Sequence, residues 1–508
     1  EWMGVEGLGE WRGGFEEGDG VHGGSRRTAR RGGGSRKGMR LPVGTRAGVC
    51  REMGAAEERA LGEADDGGPT VSVRLNPAKC AGALPAVVAA EGVRPVGWCA
   101  EGRYLPRRPQ FTFDAEFHAG AYYVQEPSSQ FVGRLLADVG LDGARVLDLC
   151  AAPGGKSTLY ASLVGRDGLV VANEIDRRRA QVLADNIRRW GTGNVVVTTA
   201  DAERMAEFES WYDVVAVDAP CSGEGMFRKD DAARGEWSEA NVRLCASRQD
   251  AILRAAWRAL RPGGTLLYST CTFNRSEDEG SLERFLAWAG DEAAESAEVP
   301  LDEAWGVVCG RVGVFRTFRF FPHRAEGEGF FAAVARKASD AGGRSRVPRL
   351  RREALGAVDK ASAAELARWV AEPGAMRFGA VGDTFYGWYA AQYDAVRSLS
   401  GVLPVIYSGV AMGQLFKGRL KPDPALALFA GLRRDAVPAT ELGAEEALRF
   451  LRKQDLVAGP FAEGINLVTA HGRALGFVKR IGARVNNLYP NSLRILRQQP
   501  SGDADAEA

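Results

Sequence analysis

Five short apolar runs, separated by stretches with helical patterning, constrain the fold of this chain more than any other feature of its sequence. Runs of this length, rich in Val, Leu and Ala, are typical of strands buried on both faces of a parallel sheet. Their alternation with helices indicates that helices cover those two faces. The pattern therefore predicts a doubly wound α/β domain. The runs are "ARVLDL" (144–149), "GLVVANE" (168–174), "NVVVTTA" (194–200), "YDVVAVDA" (212–219) and "GTLLYST" (264–270).

An antiparallel hairpin is predicted beyond these runs, after a helix near 275–289. The segment "FRTFRFFPHRAEGEGFFAAVARK" (315–337) has two apolar stretches around a polar, Gly-containing centre. We expect two strands joined by a tight turn, which would pair at the edge of the parallel sheet and extend it from five strands to seven.

Composition divides the rest of the chain into regions. Residues 1–69 are dominated by Gly, Arg and Glu and contain little to bury, so we expect disorder there. One interpretation is an Arg/Gly arm for RNA; we favour an unstructured extension, with Met39 or Met53 as the natural start. The other predicted regions are a small N-terminal α+β region for RNA binding or linkage (70–140), the α/β domain (141–338), a linker (339–380), a C-terminal α+β domain (381–497) and a disordered tail (498–508).

Net charge and cysteine content argue against a protein that binds nucleic acid through its overall charge and against a disulfide-rich protein. The formal net charge of +1 argues against nucleic-acid binding through overall charge and leaves only a local basic face. The eight cysteines are scattered, unlike the spacing of a disulfide framework. No stretch approaches the roughly 18 apolar residues of a membrane helix. We expect a cytoplasmic monomer with no metal site and no membrane partner.

The segment "LDLCAAPGGKST" (147–158) is the first chemical signal. It predicts a strand, a Gly-rich turn and a helix whose free N–H groups favour a ligand. A P-loop would need Gly at the position of Cys150, and a dinucleotide fingerprint would need a third, spaced Gly besides Gly154 and Gly155. Both spacings are missing, which leaves an adenosyl ligand without a pyrophosphate.

Three acids follow successive strands of the predicted sheet, namely Glu174, Asp201 and Asp218. The carboxyl ends of parallel strands form the rim at which open α/β sheets bind ligands. Glu174 stands about 20 residues after the Gly turn, where a carboxylate can accept both ribose hydroxyls. Each acid alone could equally be a helix N-cap, but the agreement of several strand ends favours a cofactor site.

Two cysteines also follow strands, Cys221 in "DAPCSGEGMFRK" (218–229) and Cys271 in "LLYSTCTFN" (266–274). C5 of cytosine is too poor a nucleophile to attack a sulfonium methyl group, whereas addition of a thiolate to C6 makes C5 nucleophilic. The C5 proton must then leave and the thiolate must be expelled, so a second thiol is useful. The remaining cysteines outside the Gly turn are interpreted as small buried hydrophobic residues. These are Cys50, Cys80, Cys99, Cys245 and Cys309.

At these motifs the chain resembles a known family. "DLCAAPGGKS", "NEID", "DAPCSGEGMFRKD" and "YSTCTFNRSEDE" are similar, in order and spacing, to the RsmF-like branch of the Sun (RsmB/RsmF) family of RNA cytosine-C5 methyltransferases. "YYVQEPSS" and "PHRAEGEGFFAAVARK" resemble the family's segment before the cofactor motif and its last hairpin. The stretches 408–428 and 476–495 resemble its C-terminal, RNA-binding, PUA-like domain. The resemblance covers 70–497 and implies a Rossmann-like, seven-stranded class I methyltransferase domain.

The resemblance also implies a role for each candidate residue. Cys271 would be the nucleophile toward C6, and Cys221 would assist release of the methylated product. Asp218 would bind the cytosine edge near N3, with Lys156 beside the reacting base. The cofactor would be S-adenosylmethionine and the substrate RNA, above all small-subunit (16S) ribosomal RNA, with the small ribosomal subunit as a further partner. The implied cofactor-binding residues are Cys150, Ala151, Ala152, Pro153, Gly154, Gly155, Lys156, Glu174, Asp201 and Asp218.

Basic residues recur in the C-terminal domain, interleaved with Phe416, Phe477 and Tyr489. Such a mixture suits phosphate contact and stacking on unpaired bases, although a solvated basic face is the commoner meaning of one cluster. Together with the resemblance, RNA binding is favoured. A target cytosine must leave its stack to reach Cys271, so we expect a loop or an opened helix as substrate. The candidate RNA-binding residues are Lys417, Arg419, Lys421, Lys479, Arg480, Arg484 and Arg494.

Other activities remain open at this point. An amino-group methyltransferase would want an Asn/Asp-Pro-Pro-Tyr turn where this chain has Asp-Ala-Pro-Cys (218–221). A DNA cytosine methyltransferase would use the Pro-Cys thiol as nucleophile. A noncatalytic RNA-binding or ribosome-assembly factor could retain the fold. Transfer RNA is the second candidate substrate for an RNA methyltransferase.

Overall fold

The computed structural model describes residues 55–65, 68–290, 294–339 and 345–497. Strands in these ranges form a central ten-stranded sheet and three four-stranded sheets. The strands are β1 Ser72–Leu75, β2 Arg94–Val96, β3 Cys99–Tyr104, β4 Tyr122–Val124, β5 Arg145–Asp148, β6 Leu169–Asn173, β7 Val195–Thr198, β8 Tyr212–Asp218, β9 Leu260–Thr270, β10 Ala294–Ser296, β11 Val308–Val312, β12 Phe315–Phe320, β13 Phe330–Lys337, β14 Met376–Val381, β15 Thr384–Tyr389, β16 Val405–Ser408, β17 Val410–Phe416, β18 Arg419–Pro422, β19 Ala439–Glu441, β20 Gly464–Ala470, β21 Arg473–Ile481 and β22 Arg484–Asn487.

Helices begin where the sequence supplies a capping side chain. Asp176 accepts hydrogen bonds from the N–H groups of the first turn of α6, and Ser238 and Asp359 do the same for α9 and α11. Among the described residues, no helix combines the length and the hydropathy needed to cross a membrane. The helices are α1 Ala55–Asp65, α2 Pro77–Cys80, α3 Ala115–His118, α4 Val132–Leu136, α5 Gly155–Leu163, α6 Arg177–Trp190, α7 Ala202–Met205, α8 Asp231–Glu236, α9 Glu239–Ala259, α10 Glu279–Ala289, α11 Lys360–Ala367, α12 Tyr393–Val402, α13 Pro424–Leu428 and α14 Ala444–Leu451.

The central sheet contains the five predicted parallel strands in the order β7-β6-β5-β8-β9. Antiparallel β13 and β12 continue the sheet beyond β9, which confirms the seven-stranded, doubly wound architecture. Successive residues of a strand point to opposite faces, and Val146 and Leu147 accordingly lie in two different core clusters. Both faces of the sheet are therefore buried, as the continuous apolar runs predict.

Three strands that the sequence pattern does not reveal extend this sheet. β11 pairs with β12, β10 pairs with β13, and β16 pairs with β7. β16 comes from the C-terminal part of the chain, and it covers the edge of β7, whose N–H and C=O groups would otherwise lie unpaired. The short, separated segments carry too little pattern to be assigned to this sheet from sequence.

The connection between β12 and β13 is longer than the tight turn predicted for the hairpin. It runs through residues 321–329 and packs on the segment around Glu126. The Glu126 carboxylate accepts a hydrogen bond of 3.0 Å from the Glu328 N–H, and a Cβ added at Gly327 would lie 2.1 Å from Ser128 Oγ. The extra length lets the hairpin loop contact the N-terminal region.

Part of the segment predicted to be disordered is a helix. Residues 55–65 form α1, in which Leu61 is buried against Phe227, Phe273 and Phe321. Burial of one apolar face offsets the ordering of this short segment. Residues 1–54, which include Cys50, Met39 and Met53, lie outside the described residues, as does the predicted tail.

Part of the predicted linker is also folded. The span 339–380 includes α11 and most of β14, and Leu366, Trp369 and Met376 are buried in one core cluster of the C-terminal part. That part contains two four-stranded sheets, of order β14-β15-β17-β18 and β19-β20-β21-β22. The Arg-rich composition of the preceding stretch conceals these apolar residues.

Candidate active site

The Gly-rich turn lies between β5 and α5, at the carboxyl edge of the central sheet. The Leu149 N–H donates to the Ala216 carbonyl (2.9 Å) and the Ala151 N–H to the Asn173 carbonyl (2.8 Å), so both neighbouring strands hold the turn. Gly154 has φ of 114°, and a Cβ there would lie 2.9 Å from Leu183 Cδ1. Only glycine suits this position, because both the backbone angle and the space exclude a side chain.

Glu174 follows β6 and faces this turn from a buried position. Its carboxylate accepts a hydrogen bond of 3.0 Å from the Asp176 N–H and pairs with Arg179 at 3.2 Å. Arg179 also donates to the Ala152 carbonyl at 3.0 Å, so it connects the acid to the turn. A carboxylate can accept about four hydrogen bonds. Glu174 therefore retains acceptor capacity for ribose hydroxyls.

Asp201 follows β7 and caps the short helix α7. Its side chain accepts a hydrogen bond of 2.8 Å from the Arg204 N–H, and the residue is exposed. Asp201 therefore acts as a helix N-cap, which is one of the two interpretations that the sequence allowed. Its remaining carboxylate oxygen stands at the same strand edge as Glu174, and its cofactor role stays a prediction.

Lys156 and Asp218 form an ion pair between the Gly turn and the end of β8. The Lys156 Nζ donates to Asp218 Oδ2 at 2.9 Å, and Ser269 Oγ donates to Asp218 Oδ1 at 2.8 Å. Lys156 is buried, with its Nζ 5.3 Å from the centre of the Phe330 ring. The Asp218 side chain is one quarter exposed, so it stays open toward a ligand.

The two predicted thiols lie side by side. Cys221 Sγ and Cys271 Sγ are 3.4 Å apart, and both residues are partly exposed. Two contacts bring their loops together: Ser222 Oγ lies 3.0 Å from Thr272 Oγ1, and the Gly225 N–H donates to the Cys271 carbonyl at 2.9 Å. The sequence separation of fifty residues thus closes to direct contact.

The two thiols are not equivalent. The hydrogen bond between the two sulfurs lowers the pKa of Cys271, against the effect of burial and of the Asp218 charge, and the Lys156 ammonium also lowers it. The same hydrogen bond, together with burial, raises the pKa of Cys221. Cys271 is therefore the more acidic thiol of the pair, and its role as the nucleophile stays a prediction. Burial, with the negative charge of Glu174, also raises the pKa of Cys150, which keeps that thiol protonated.

The other described cysteines lie outside this site. Cys99 and Cys245 are buried, as expected of small hydrophobic residues, and Cys80 is half-buried. Cys309 was interpreted as buried but is exposed, because it lies on the edge strand β11. Within the described ranges, no group of His, Cys, Asp and Glu side chains is arranged to hold a metal ion.

Arg74 is a site residue that the sequence pattern does not reveal. It belongs to β1 of the N-terminal sheet, and its guanidinium donates to the Gly155 carbonyl (3.0 Å) and Thr158 Oγ1 (2.6 Å) in the first turn of α5. Gln125 accepts from its Nε at 2.8 Å. The N-terminal region therefore contributes directly to the cofactor helix. The only sequence signal is a basic residue inside an apolar strand.

The candidate RNA-binding residues fall on two sheets. Lys417, Arg419 and Lys421 lie on or beside the β17–β18 hairpin, where Phe416 is 70% exposed. Lys479, Arg480 and Arg484 lie on β21 and β22, and Arg494 is exposed near the end of the described chain.

Two predicted stacking residues are corrected by their burial. Phe477 is buried against Trp369, and Tyr489 is buried against Phe450. Neither ring face is open to a base, because both aromatic residues serve the cores of the C-terminal part. Arg480 donates to the Gly482 carbonyl at 2.8 Å, so it also supports the local backbone. Phe416, by contrast, is exposed, with the Lys417 ammonium 5.6 Å from the centre of its ring.

Comparison with known proteins decides the family. The family model described as 16S rRNA methyltransferase RsmB/F matches residues 139–336. Two curated relatives, each named Ribosomal RNA small subunit methyltransferase F, come from Salmonella agona and Salmonella heidelberg. Each is 33% identical over 453 residues, covering 83% of this chain and 90% of the relative. The chain belongs to the RsmB/RsmF methyltransferase family.

The other matches agree with this membership. The model for the N-terminal domain of 16S rRNA methyltransferase RsmF matches 49–127, and that for the RsmF PUA domain matches 437–495. The crystal structure of PH0851 is 27% identical with a TM-score of 0.52, covering 58% of this chain and 66% of that chain, just under two thirds of its length. This RsmB/RsmF family member is an S-adenosylmethionine-dependent RNA methyltransferase, which confirms the predicted cofactor and enzyme class.

The N-terminal match includes a helix ahead of β1. Gly- and Arg-rich residues precede β1, yet the RsmF N-terminal model begins at residue 49, and α1 occupies 55–65. A helix that leads into the "SVRLNP" strand is therefore present in this RsmB/RsmF protein.

Proposed function

We propose that the protein methylates C5 of a cytosine in small-subunit (16S) ribosomal RNA through a covalent bond between Cys271 and C6 of the base. The observation that carries this proposal is the 3.4 Å approach of the Cys221 and Cys271 sulfurs beside the Lys156–Asp218 pair. The names of the curated relatives support ribosomal RNA as the substrate.

The cofactor edge suits an adenosyl ligand. Glu174 holds the ribose hydroxyls, and the backbone of 150–155 and the N-terminus of α5 surround the rest of S-adenosylmethionine. Lys156 is the cation of the turn, and it pairs with Asp218. Because it is engaged in this way, it suits a ligand that has no pyrophosphate to neutralise. When bound there, S-adenosylmethionine supplies an electrophilic methyl group to C5 of the base.

In the first half of the reaction the Cys271 thiolate adds to C6. The new S–C6 bond uses the thiolate electron pair, and the electrons of the C5–C6 double bond become available at C5. Asp218 faces the N3 edge of the cytosine and carries a proton to N3, which neutralises the negative charge that develops there during addition, and it takes the proton back when the S–C6 bond breaks. Lys156 and Ser269 hold the Asp218 carboxylate in one orientation through both of its oxygens.

In the second half the partly exposed Cys221 thiol first releases its proton to solvent, and the resulting thiolate removes the C5 proton. The C5–H electron pair restores the C5–C6 double bond, and the S–C6 bond breaks to return the Cys271 thiolate. The hydrogen bond to Cys271 is the largest cause of the raised pKa of Cys221. Once Cys271 is bonded to carbon it no longer carries a negative charge, so Cys221 becomes easier to ionise at the stage that needs a base.

The site favours this chemistry over the alternatives. An amino-group methyltransferase has no use for two adjacent thiols, and the reverse assignment would make a nucleophile of Cys221, whose pKa is raised by the hydrogen bond to Cys271 and by burial. Transfer RNA remains the second candidate substrate. The basic residues of the β17–β18 hairpin and of β21 and β22 would contact RNA phosphates, and the small ribosomal subunit would be the larger partner of a monomeric enzyme.

The test uses labelled S-adenosylmethionine with 16S rRNA, assembled small subunits and tRNA as separate substrates. We expect wild type to form 5-methylcytosine, Cys271→Ala to form neither product nor adduct, and Cys221→Ala to remain covalently attached to RNA on a denaturing gel. Cys309→Ala, which removes an exposed thiol, is the matched control. Methylated product from Cys271→Ala would mean that Cys221 is the nucleophile. Methylation of tRNA alone would make tRNA the substrate. A wild-type protein that methylates none of the three RNAs would favour a noncatalytic assembly factor.

A further inference from the structure

A buried carboxylate and a buried amide lie behind the Cys221 loop. Glu277 Oε1 accepts a hydrogen bond of 2.9 Å from the Ser222 N–H, and Gln249 Nε2 donates to the same oxygen at 3.2 Å. Gln249 Nε2 also donates to the Pro220 carbonyl at 3.0 Å. The backbone groups on both sides of Cys221 are thus held by this Glu277–Gln249 pair.

The pair is itself rigidly held. Glu277 and Gln249 have no exposed surface, and Gln249 Oε1 accepts a hydrogen bond of 2.9 Å from the equally buried Ser281. Gln249 lies in α9 and Ser281 in α10, so packed helices fix the position of the amide. The three hydrogen bonds of the Gln249 amide therefore leave it one orientation.

The Cys271 loop has different supports. Asp278, the residue after Glu277, accepts a hydrogen bond of 2.6 Å from Thr270, and Arg319 donates to the Phe273 carbonyl at 2.7 Å. Adjacent residues therefore support different cysteine loops, which also contact each other through Ser222 and Thr272. A change at Glu277 that leaves Asp278 intact removes support from the Cys221 loop alone.

Glu277 does more than local packing requires. Its Oε2 atom is buried and makes no hydrogen bond within the described part of the chain, although an apolar side chain would fill such a space at lower cost. Glu277 also stands close enough for its charge to contribute to the raised pKa of Cys221. A buried acid kept beside a reacting thiol indicates a part in the reaction.

We propose that Glu277 and Gln249 are positioning residues for Cys221, which set the separation of the two sulfurs and thereby govern proton removal and product release. This inference rests on the roles assigned to the two cysteines under the proposed function. Addition of Cys271 to C6 does not depend on the pair. Loss of the pair should therefore slow the second half of the reaction and spare the first.

The first experiment separates the two halves with full-length protein and 16S rRNA. In Glu277→Leu and Gln249→Leu, adduct formation should stay within about threefold of wild type, while release should slow by about 100-fold, the effect of a displacement of roughly 1 Å. Glu277→Gln, which keeps an oxygen to accept from Ser222 and Gln249, should restore release. Glu283→Gln, an exposed acid on α10, is the matched control. Release at the wild-type rate in both Leu variants would overturn the proposal.

The second experiment does not depend on the RNA reaction. Phenylarsine oxide binds two thiols only when their sulfurs are close together, so its affinity reports the separation of Cys221 and Cys271. We expect weaker capture by Glu277→Leu and Gln249→Leu, and wild-type capture by Glu277→Gln, with folding checked by thermal unfolding. Unchanged capture in the Leu variants overturns the positioning role. Weakened capture, combined with no trapped RNA from Cys221→Ala, would keep that role and reject the proposed chemistry.

Discussion

Lys156 donates a hydrogen bond of 2.9 Å to Asp218 at the point where the Gly turn meets the cysteine loops. Lys156 is also among the charges that lower the pKa of Cys271. In the proposed reaction, one buried cation thus serves both the acid that faces the base and the thiolate that adds to it. The ion pair therefore connects the cofactor edge to the covalent chemistry.

Replacing Asp218 should stop the chemistry without unfolding the protein. In Asp218→Asn we expect the single-turnover rate of methyl transfer to fall by about 100-fold to 10,000-fold, the usual loss of a positioned acid or base. Quench-flow measurement with labelled cofactor gives the rate, and Glu203→Gln, an exposed change, is the control. A variant rate equal to wild type would show that Asp218 has no part in the transition state.

Alkylation should distinguish the two thiols. Because the hydrogen bond with Cys221 lowers the pKa of Cys271, iodoacetamide should modify Cys271 at neutral pH before Cys221 and before the exposed Cys309. Cys221→Ala removes the hydrogen bond that causes most of this lowering, so the pH profile of Cys271 modification should move to higher pH. Peptide mass spectrometry provides the measurement; earlier labelling of Cys221 would contradict the assignment.

Stability should fall as Glu277 ionises. Burial raises the pKa of Glu277 from 4.5 to about 7 in the folded protein. The stability that protonated Glu277 contributes is therefore fully present below pH 4.5, and it is lost as the pH rises through about 7. This shift corresponds to about 3 kcal/mol. Glu277→Gln cannot ionise, and its melting temperature should therefore gain on that of wild type between about pH 5 and pH 8. Parallel melting curves for the two proteins would refute the shift.

Arg74 should stabilise the contact between the N-terminal sheet and α5. Arg74→Met leaves Gln125, Gly155 and Thr158 without this donor, and we expect a loss of about 1–3 kcal/mol in the free energy of unfolding for each acceptor left unsatisfied. Arg94→Met removes an exposed ion pair with Glu326 and should cost less than about 1 kcal/mol. Urea unfolding measures both, and equal losses would show that Arg74 has no special structural role.

RNA binding should depend on Phe416 more than on the buried aromatic residues. Phe416→Ala should weaken binding of single-stranded RNA by about 1–3 kcal/mol if a base stacks on its ring. Lys417→Gln should reduce the dependence of affinity on salt by about one counterion. Phe477→Ala should instead destabilise the fold by about 3–5 kcal/mol. Fluorescence anisotropy at several salt concentrations separates these outcomes, and unchanged affinity in Phe416→Ala would exclude stacking there.

Local patterns were enough to predict the parallel sheet, the cofactor turn and the two thiols. Apolar runs such as "YDVVAVDA" report burial on both faces directly, and Gly154 stands where the chain requires a positive φ. These features depend on neighbours along the chain. Patterning did not reveal α1, whose composition resembles a disordered extension, because its stability comes from contacts with Phe227 and Phe321 far away in sequence.

The sequence by itself determined the family, the α/β fold and which side chains reach the carboxyl edge of the sheet. Only the tertiary structure decided that the sulfurs of Cys221 and Cys271 lie 3.4 Å apart, that Glu277 and Gln249 hold the Cys221 loop, and that Phe477 and Tyr489 are buried. The physical reason is that sulfur separations, hydrogen bonds and burial depend on groups that are far apart in sequence and meet only after folding.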